Sequence, residues 1–502
     1  MPEAHLFSPR DLEDLSRLGV TLSHVESQLE AYGEPGRPAE LVRPCRPGDG
    51  IQSLPPEHDA LEELWATAAS EGRLAKFVPA SGAASRMLAG LRWLAARPAL
   101  LEPEALREAS AAETRAADAL RLWEARDRLP FAAAGDGGES LAEWVEGMLA
   151  EYGSAPKGLI PFHRYGETSR TAFEEQLVEG TRYLAAGVSR TCALHFTVAA
   201  DQLERFTAAY DACRGPLEEE LGVHLDVEFS TQGTATDSLA VDDKLRPVRT
   251  SDGRLLFRPS GHGALLRNLS AMNGDVVLIK NIDNVLPQSR HEEVGRWKRL
   301  LAGLALRLEG RATRLLDRLA ADDPDEVERA VRFVEEAFGI RPPLSFGSAV
   351  EDLAPWVRQR LDRPLRVCGV VRNEGQPGGG PFWIRDREGR VTPQIVERGQ
   401  VDHDDGAQEA IWSSSTHFNP VDIVCCLLDR KGRPHDLERF VDPSTWFVAR
   451  KEWAGQAIRL IERPGLWNGA MAGWNTVFVE VPASTFAPVK SLLDLLSSAH
   501  QG

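Results

Sequence analysis

Leu74-Ala75-Lys76-Phe77-Val78-Pro79-Ala80-Ser81-Gly82-Ala83-Ala84-Ser85-Arg86-Met87 is the stretch on which the fold turns. Residues 74–78 form a short apolar run that reads as a buried strand. Small residues follow over 80–85, and a helical pattern begins at Leu88. Strand, small-residue loop and helix make the opening unit of a phosphate-binding α/β fold. Small side chains let backbone N–H groups approach phosphates, and Arg86 stands where a cation meets them. The same turn could equally be built for packing alone.

Working outward, residues 192–198 and 225–230 are strand-like with a helix between them, and 276–279 (Val-Val-Leu-Ile) is an unbroken apolar run of the kind buried in parallel sheets. The alternation predicts an α/β fold with a mixed, mostly parallel sheet flanked by helices. Residues 98–150 are Ala-, Glu- and Leu-rich and read as a helical insertion. From 291 to 345 a helical pair is expected. Val294, Trp297, Leu301, Leu304 and Leu308 fall on one face, and Asp323-Pro324 reads as an N-cap with proline at the first helical position. Residues 1–60 are a helical lead-in ending in a Pro- and Gly-rich stretch. A nucleotide-binding core is expected over 61–290, and a smaller mixed region, with strands near 367–371, 382–384 and 477–481, over 346–502.

The chain has 502 residues and a net charge of −17, opposite to the basic footprint that nucleic acids or anionic membranes require. No run of 18 apolar residues and no signal-peptide pattern is present, so the expected compartment is the cytoplasm. The six cysteines show no CxxC pair, which suggests neither a disulfide framework nor a zinc site. Only eight lysines occur, the remaining basic charge being arginine. A lysine inside a motif is therefore harder to dismiss as surface filler.

Four further stretches could carry chemistry. Lys157 lies between Pro156 and Gly158, a constrained turn that can hold a point charge for phosphate or simply expose it. The glycines of Pro259-Ser260-Gly261-His262-Gly263 suggest backbone pressed against a flat ligand, or a plain turn before a helix. Asp283-Asn284 ends the strand from 276, where ligands collect in open parallel sheets and an Asp can hold Mg²⁺. It can also be no more than a turn. Lys490 follows a strand and a Pro-containing turn that could aim it into a cleft, or leave it on the surface.

In order along the chain these stretches resemble the UDP-sugar pyrophosphorylase family, especially its UDP-N-acetylhexosamine branch. The matching segments are residues 82–86, Pro156-Lys157-Gly158, Phe229-Ser230-Thr231-Gln232-Gly233, 259–263, Asp283-Asn284, Gln394-Ile395-Val396-Glu397, His417-Phe418-Asn419 and residues 480–490. The chain also resembles an uncharacterised bacterial family, domain of unknown function 4301, which shares residues 157–163 and 280–285.

The first resemblance implies a nucleotidyltransferase-like fold and a reaction. A sugar 1-phosphate attacks the α-phosphate of a nucleoside triphosphate, UTP foremost, and pyrophosphate leaves. It implies that Ser81, Gly82 and Ala83 cradle the triphosphate while Arg86, Lys157 and Lys490 neutralise it. Asp283 would hold Mg²⁺, Gln232 and Gly261, His262 and Gly263 would meet the base, and Glu397 and Asn419 would face the sugar. The family loop carries glycine where this chain has Ser81 and Ala84, and threonine where it has Ser85. Residues 373–381, with Gly378-Gly379-Gly380, have no family counterpart. A protein of the same fold that binds nucleotide or sugar phosphate without turnover is the alternative reading.

Overall fold

The computed structural model describes residues 7–33, 36–131, 140–187, 190–272, 274–319, 323–343, 346, 349–375 and 378–501. Parts of the predicted insertion (132–139) and of the segment around the triple glycine (376–377) lie outside the described residues. The fold is α/β, with a mixed, mostly parallel sheet flanked by helices. The chain divides into two discontinuous units. One comprises residues 62–230, 278–300 and 481–502; the other comprises 1–61, 231–277 and 301–480.

The first unit is built on Leu74–Pro79, whose parallel partner is Thr191–Val198, Ala75 facing Ala193 and Val78 facing Phe196. His224–Thr231 continues the sheet beyond Thr191–Val198, and the strand Val276–Lys280 flanks Leu74–Pro79 on its other side. All five residues of Val276–Lys280 are buried, as an aliphatic run covered on both faces must be. Helix Ala172–Leu184 starts at a capping box, in which Thr171 accepts from the Glu174 amide and Glu174 returns the bond. Ten of its thirteen residues are buried. A helix that deep carries its polar residues, Glu175, Gln176 and Glu179, into the interior. The expected insertion is helical where described, as Pro103–Ser110, Thr114–Glu124 and Leu141–Tyr152.

In the second unit, strands run in the order Arg46–Pro47, Gly50–Gln52, Asn475–Glu480, Leu365–Arg372, His417–Cys426. All neighbours are parallel except the last pair. Helices Pro9–Leu18 and Leu22–Gly33 bury Leu15, Val20 and Val25 against Leu239 and Leu255. The Pro- and Gly-rich stretch after them is less irregular than its composition suggests. Glu40–Pro44 pairs antiparallel with Gly380–Arg385, which pairs in turn with Val391–Val396. This local sequence carries no strand period, because the pairing partner lies more than 300 residues away and Pro44 stands at the strand's end. Asp323 caps Pro324–Phe338 as expected, its side chain accepting from the Asp325 amide. Among the described residues, no helix is long and apolar enough to cross a membrane.

Candidate functional site

In the first unit three segments distant in sequence meet at one carboxylate. Asp283 lies three residues beyond the buried strand Val276–Lys280 and is itself 7% exposed. Its Oδ2 accepts from Lys157 Nζ at 2.6 Å and from Lys490 Nζ at 2.8 Å. Its Oδ1 is buried and has no hydrogen-bond partner. Burial opposes the charged carboxylate, but the two ammonium groups outweigh it and hold the pKa below the usual range. Lys157 is pushed the other way: burial lowers its pKa, and Asp283 only partly restores it. Two lysines on one carboxylate leave an excess of one positive charge. Asp494 is felt nearby, but its Oδ2 is engaged by the amides of Lys490 and Ser491.

Backbone contacts fix each member. The Lys157 amide donates to the Gly82 carbonyl at 3.1 Å, and Ala83 forms a β-bridge with Pro156, so the small-residue loop and the lysine turn are one assembly. Gly158 is required here. A Cβ on it would come within 2.9 Å of the Phe206 ring and 3.1 Å of Ile282 Cγ1. Gln176, from the buried helix, donates to the Asn281 carbonyl at 2.9 Å and holds the turn that presents Asp283. The Lys490 segment is bound by the Val489 amide on the Asp283 carbonyl and by the Ala487 amide on Asn284 Oδ1.

The loop itself is open. Ser81, Gly82, Ala83 and Arg86 are exposed, whereas Ala84 is buried, so its methyl is packed inside. The helix that follows, Ala89–Ala95, has seven residues and no side-chain cap, and it begins three residues beyond Arg86.

A group that sequence reasoning did not single out stands behind the Lys490 segment. Glu175 Oε1 meets His163 Nδ1 at 2.9 Å and accepts from the Tyr165 hydroxyl at 2.5 Å. His500 Nε2 donates to the Ala487 carbonyl at 3.0 Å, which leaves its Nδ1 to accept from His163 Nε2 at 2.8 Å. Burial and the neighbouring His163 lower the His500 pKa to about 4. This relay ties the buried helix to residues 487–490. The available signal was His163 itself, in the segment 157–163. A second buried group joins Lys76 and Lys280 to Glu179, at 3.3 and 2.5 Å.

The base- and sugar-side candidates belong to the second unit. His262 stacks on Trp467 with ring centroids 4.0 Å apart and planes 18° from parallel. The Leu466 amide donates to His262 Nδ1, so in the neutral ring the proton sits on Nε2, 3.5 Å from Glu397 Oε1. Trp467 Nε1 donates to that same oxygen at 3.0 Å. Burial raises the Glu397 pKa less than His262 and Trp467 lower it, so the carboxylate is ionised.

The close backbone approach allowed by Gly261 and Gly263 is made to the chain's own residues. A Cβ on Gly263 would lie 2.0 Å from the Pro464 carbonyl oxygen, and one on Gly261 2.8 Å from Glu462 Oε2. Asn419 is buried in His417–Cys426, donating to the Gly369 carbonyl and accepting from the Val421 amide. Gln232 makes two long contacts, to Thr236 and Asp237. The triple glycine also has a packing role: side chains there would collide with Phe418, Ile395 and Phe382. The structure thus brings Lys157, Asp283 and Lys490 together, with Gly82 and Ala83 against them, and separately joins His262 to Glu397.

No curated protein sequence matches the chain. Solved structures with a similar chain course include uridine diphosphate N-acetylglucosamine pyrophosphorylase from Trypanosoma brucei, at 13% identity, covering 97% of this chain and 79% of that one, with a TM-score of 0.49. UDP-glucose phosphorylase from Trypanosoma brucei matches at 14% identity, 97% and 77% coverage and a TM-score of 0.44. A mutant UDP-glucose pyrophosphorylase from Leishmania major, in complex with UDP-glucose, matches at 12% identity, 97% and 77% coverage and a TM-score of 0.44. The family model of domain of unknown function DUF4301 matches residues 8–501, and the chain belongs to that family.

Proposed function

We propose that the protein is a nucleotidyltransferase that joins a nucleoside triphosphate, UTP foremost, to a sugar 1-phosphate with release of pyrophosphate. The observation that carries the reading is the convergence of Lys157 and Lys490 on Asp283 at the carboxyl end of a buried strand, with the Gly82 loop bonded to Lys157. Phosphoryl transfer needs alignment and cations rather than covalent help. Two ammonium groups held 2.6 and 2.8 Å from one carboxylate oxygen are a preformed pair of cations with a replaceable counter-ion. An incoming triphosphate competes with Asp283 for them, and the loop 81–83 is exposed beside them to meet the phosphates. Lys490, with a side chain 41% exposed, is the more readily drawn away.

The family resemblance also implies Mg²⁺. The unpartnered Oδ1 of Asp283 fits a single ligand to such an ion, and among the described residues no group of three or more metal-binding side chains is assembled. That set suits an ion carried in on the triphosphate, which Mg²⁺ commonly is. When bound, it would withdraw charge from the phosphoryl oxygens. Glu397 is an ionised acceptor for sugar hydroxyls, held in place by the stacked rings of His262 and Trp467.

Calorimetric titration with the four nucleoside triphosphates in Mg²⁺ tests the binding half of the proposal. One triphosphate, expected to be UTP, should bind in the micromolar range and lose at least tenfold in affinity in Lys157→Met. Absence of binding by all four would overturn it.

A further inference from the structure

The second unit holds a cleft of about 1090 Å³ at the amino ends of the strands Leu365–Arg372 and Asn475–Glu480. Residues 362–363 and 472–473, just before those strands, line it, together with the turn after Gly380–Arg385 and the loop 429–443. It is therefore at the opposite strand ends from the carboxyl termini where Glu480 lies. Eight arginines and six carboxylates line it, in a chain whose net charge is −17.

The decisive residue is Arg360. It is 8% exposed, its Nε is buried without a partner, and among the described residues its guanidinium makes no hydrogen bond or ion pair. Arg366, three residues beyond Arg363, shows what this chain does with a buried arginine that has only a structural task. It donates from Nε to Thr476, from Nη1 to the Trp467 carbonyl and from Nη2 to Gln394. Arg360 has no such set of acceptors. Beside it Arg363 is only partly engaged, with the Gln359 and Gly473 carbonyls. The cleft's carboxylates do not compensate, because those that pair at all take other arginines: Asp386 and Glu388 hold Arg390, and Asp429 holds Arg433. Burial and the positive neighbours Arg363 and Arg390 destabilise the charge on Arg360 by more than Asp386 supports it. A buried, unpaired cation is costly, and an anion supplied from solution relieves that cost.

We propose that this cleft is a binding site for a small phosphorylated anion, with the buried Arg360 and the half-buried Arg363 as its cations. The volume suits a metabolite-sized ligand, and arginine forks match phosphate oxygens bidentately. The site does not depend on the nucleotidyl-transfer reading, since it shares no residue with the Asp283 cluster. A free phosphate and a sugar phosphate offer the same group, and separate titrations distinguish them.

The test titrates inorganic phosphate, pyrophosphate and glucose 1-phosphate into the full chain. At least one should still bind in Lys490→Met, and that remaining affinity should fall tenfold or more when Arg360→Met is added. The same ligand should raise the melting temperature of Lys490→Met and leave that of Lys490→Met/Arg360→Met unmoved. If Arg360→Met does not fold, by circular dichroism, the exposed pair Arg387→Gln/Arg439→Gln decides, with at least threefold weaker binding expected. Binding lost in Lys490→Met but unchanged in the arginine variants would overturn the assignment. So would an RNA oligonucleotide that outcompetes all three small anions and depends on the same arginines.

Discussion

Single residues carry more of the candidate site than any element does. The scarcity of lysine made Lys157 and Lys490 legible, because eight lysines in 502 residues leave few as filler. That they share one oxygen of Asp283 was not legible, since the shared atom is a fact of three-dimensional closure. The histidines show the same limit. His163 and His500 are separated by 337 residues and meet at 2.8 Å. The His500 pKa is lowered from 6.5 to about 4, so between those values the unfolded chain binds more protons than the folded one. Stability from this group is therefore complete above about pH 6.5 and is lost as pH falls toward 4. Denaturant titrations over that range should show a decline of at most about 3 kcal/mol from His500, largely absent in His500→Gln.

Elements were read best where burial is continuous. The aliphatic run 276–279 announces a strand covered on both faces, and Val276–Lys280 is one. The glycines of 261–263 suggested backbone close to a flat ligand, and those of 378–380 had no reading, because sequence does not say what approaches a glycine. At Gly261 and Gly263 the partner is the chain's own residues 462–464, and at 378–380 it is Phe418, Ile395 and Phe382. Glu40–Pro44 and the hairpin Phe447–Trp453 with Gln456–Glu462 went unread, the first because its partner is remote and the second because its two arms lack a clean apolar alternation. Gly158 permits a test at this scale. Its neighbour Phe206 is itself packed edge-on against Phe173 and has little room to yield. Gly158→Ala should cost about 1–3 kcal/mol in denaturant unfolding and should weaken triphosphate binding as well, because the displaced turn carries Lys157.

At the scale of the whole molecule, the net charge of −17 concentrates interest on the places where positive charge gathers. Beside the fully buried Lys76–Glu179–Lys280 group, two such places among the described residues reach the surface, the Lys157–Asp283–Lys490 cluster in one unit and the arginine-lined cleft in the other. The members of the first were singled out one by one from motif order. The second was not, because its arginines come from the segments 358–363, 387–390 and 430–439, none of which carries a recognisable pattern. The most direct test of the account is pyrophosphate release in the presence of Mg²⁺, across four nucleoside triphosphates and a panel of sugar 1-phosphates, for the parent chain and Asp283→Ala. Release with one pairing, reduced at least a hundredfold in Asp283→Ala, is the predicted result. Release that is unchanged in Asp283→Ala, or silence across the panel in a chain that still binds a triphosphate, would contradict it.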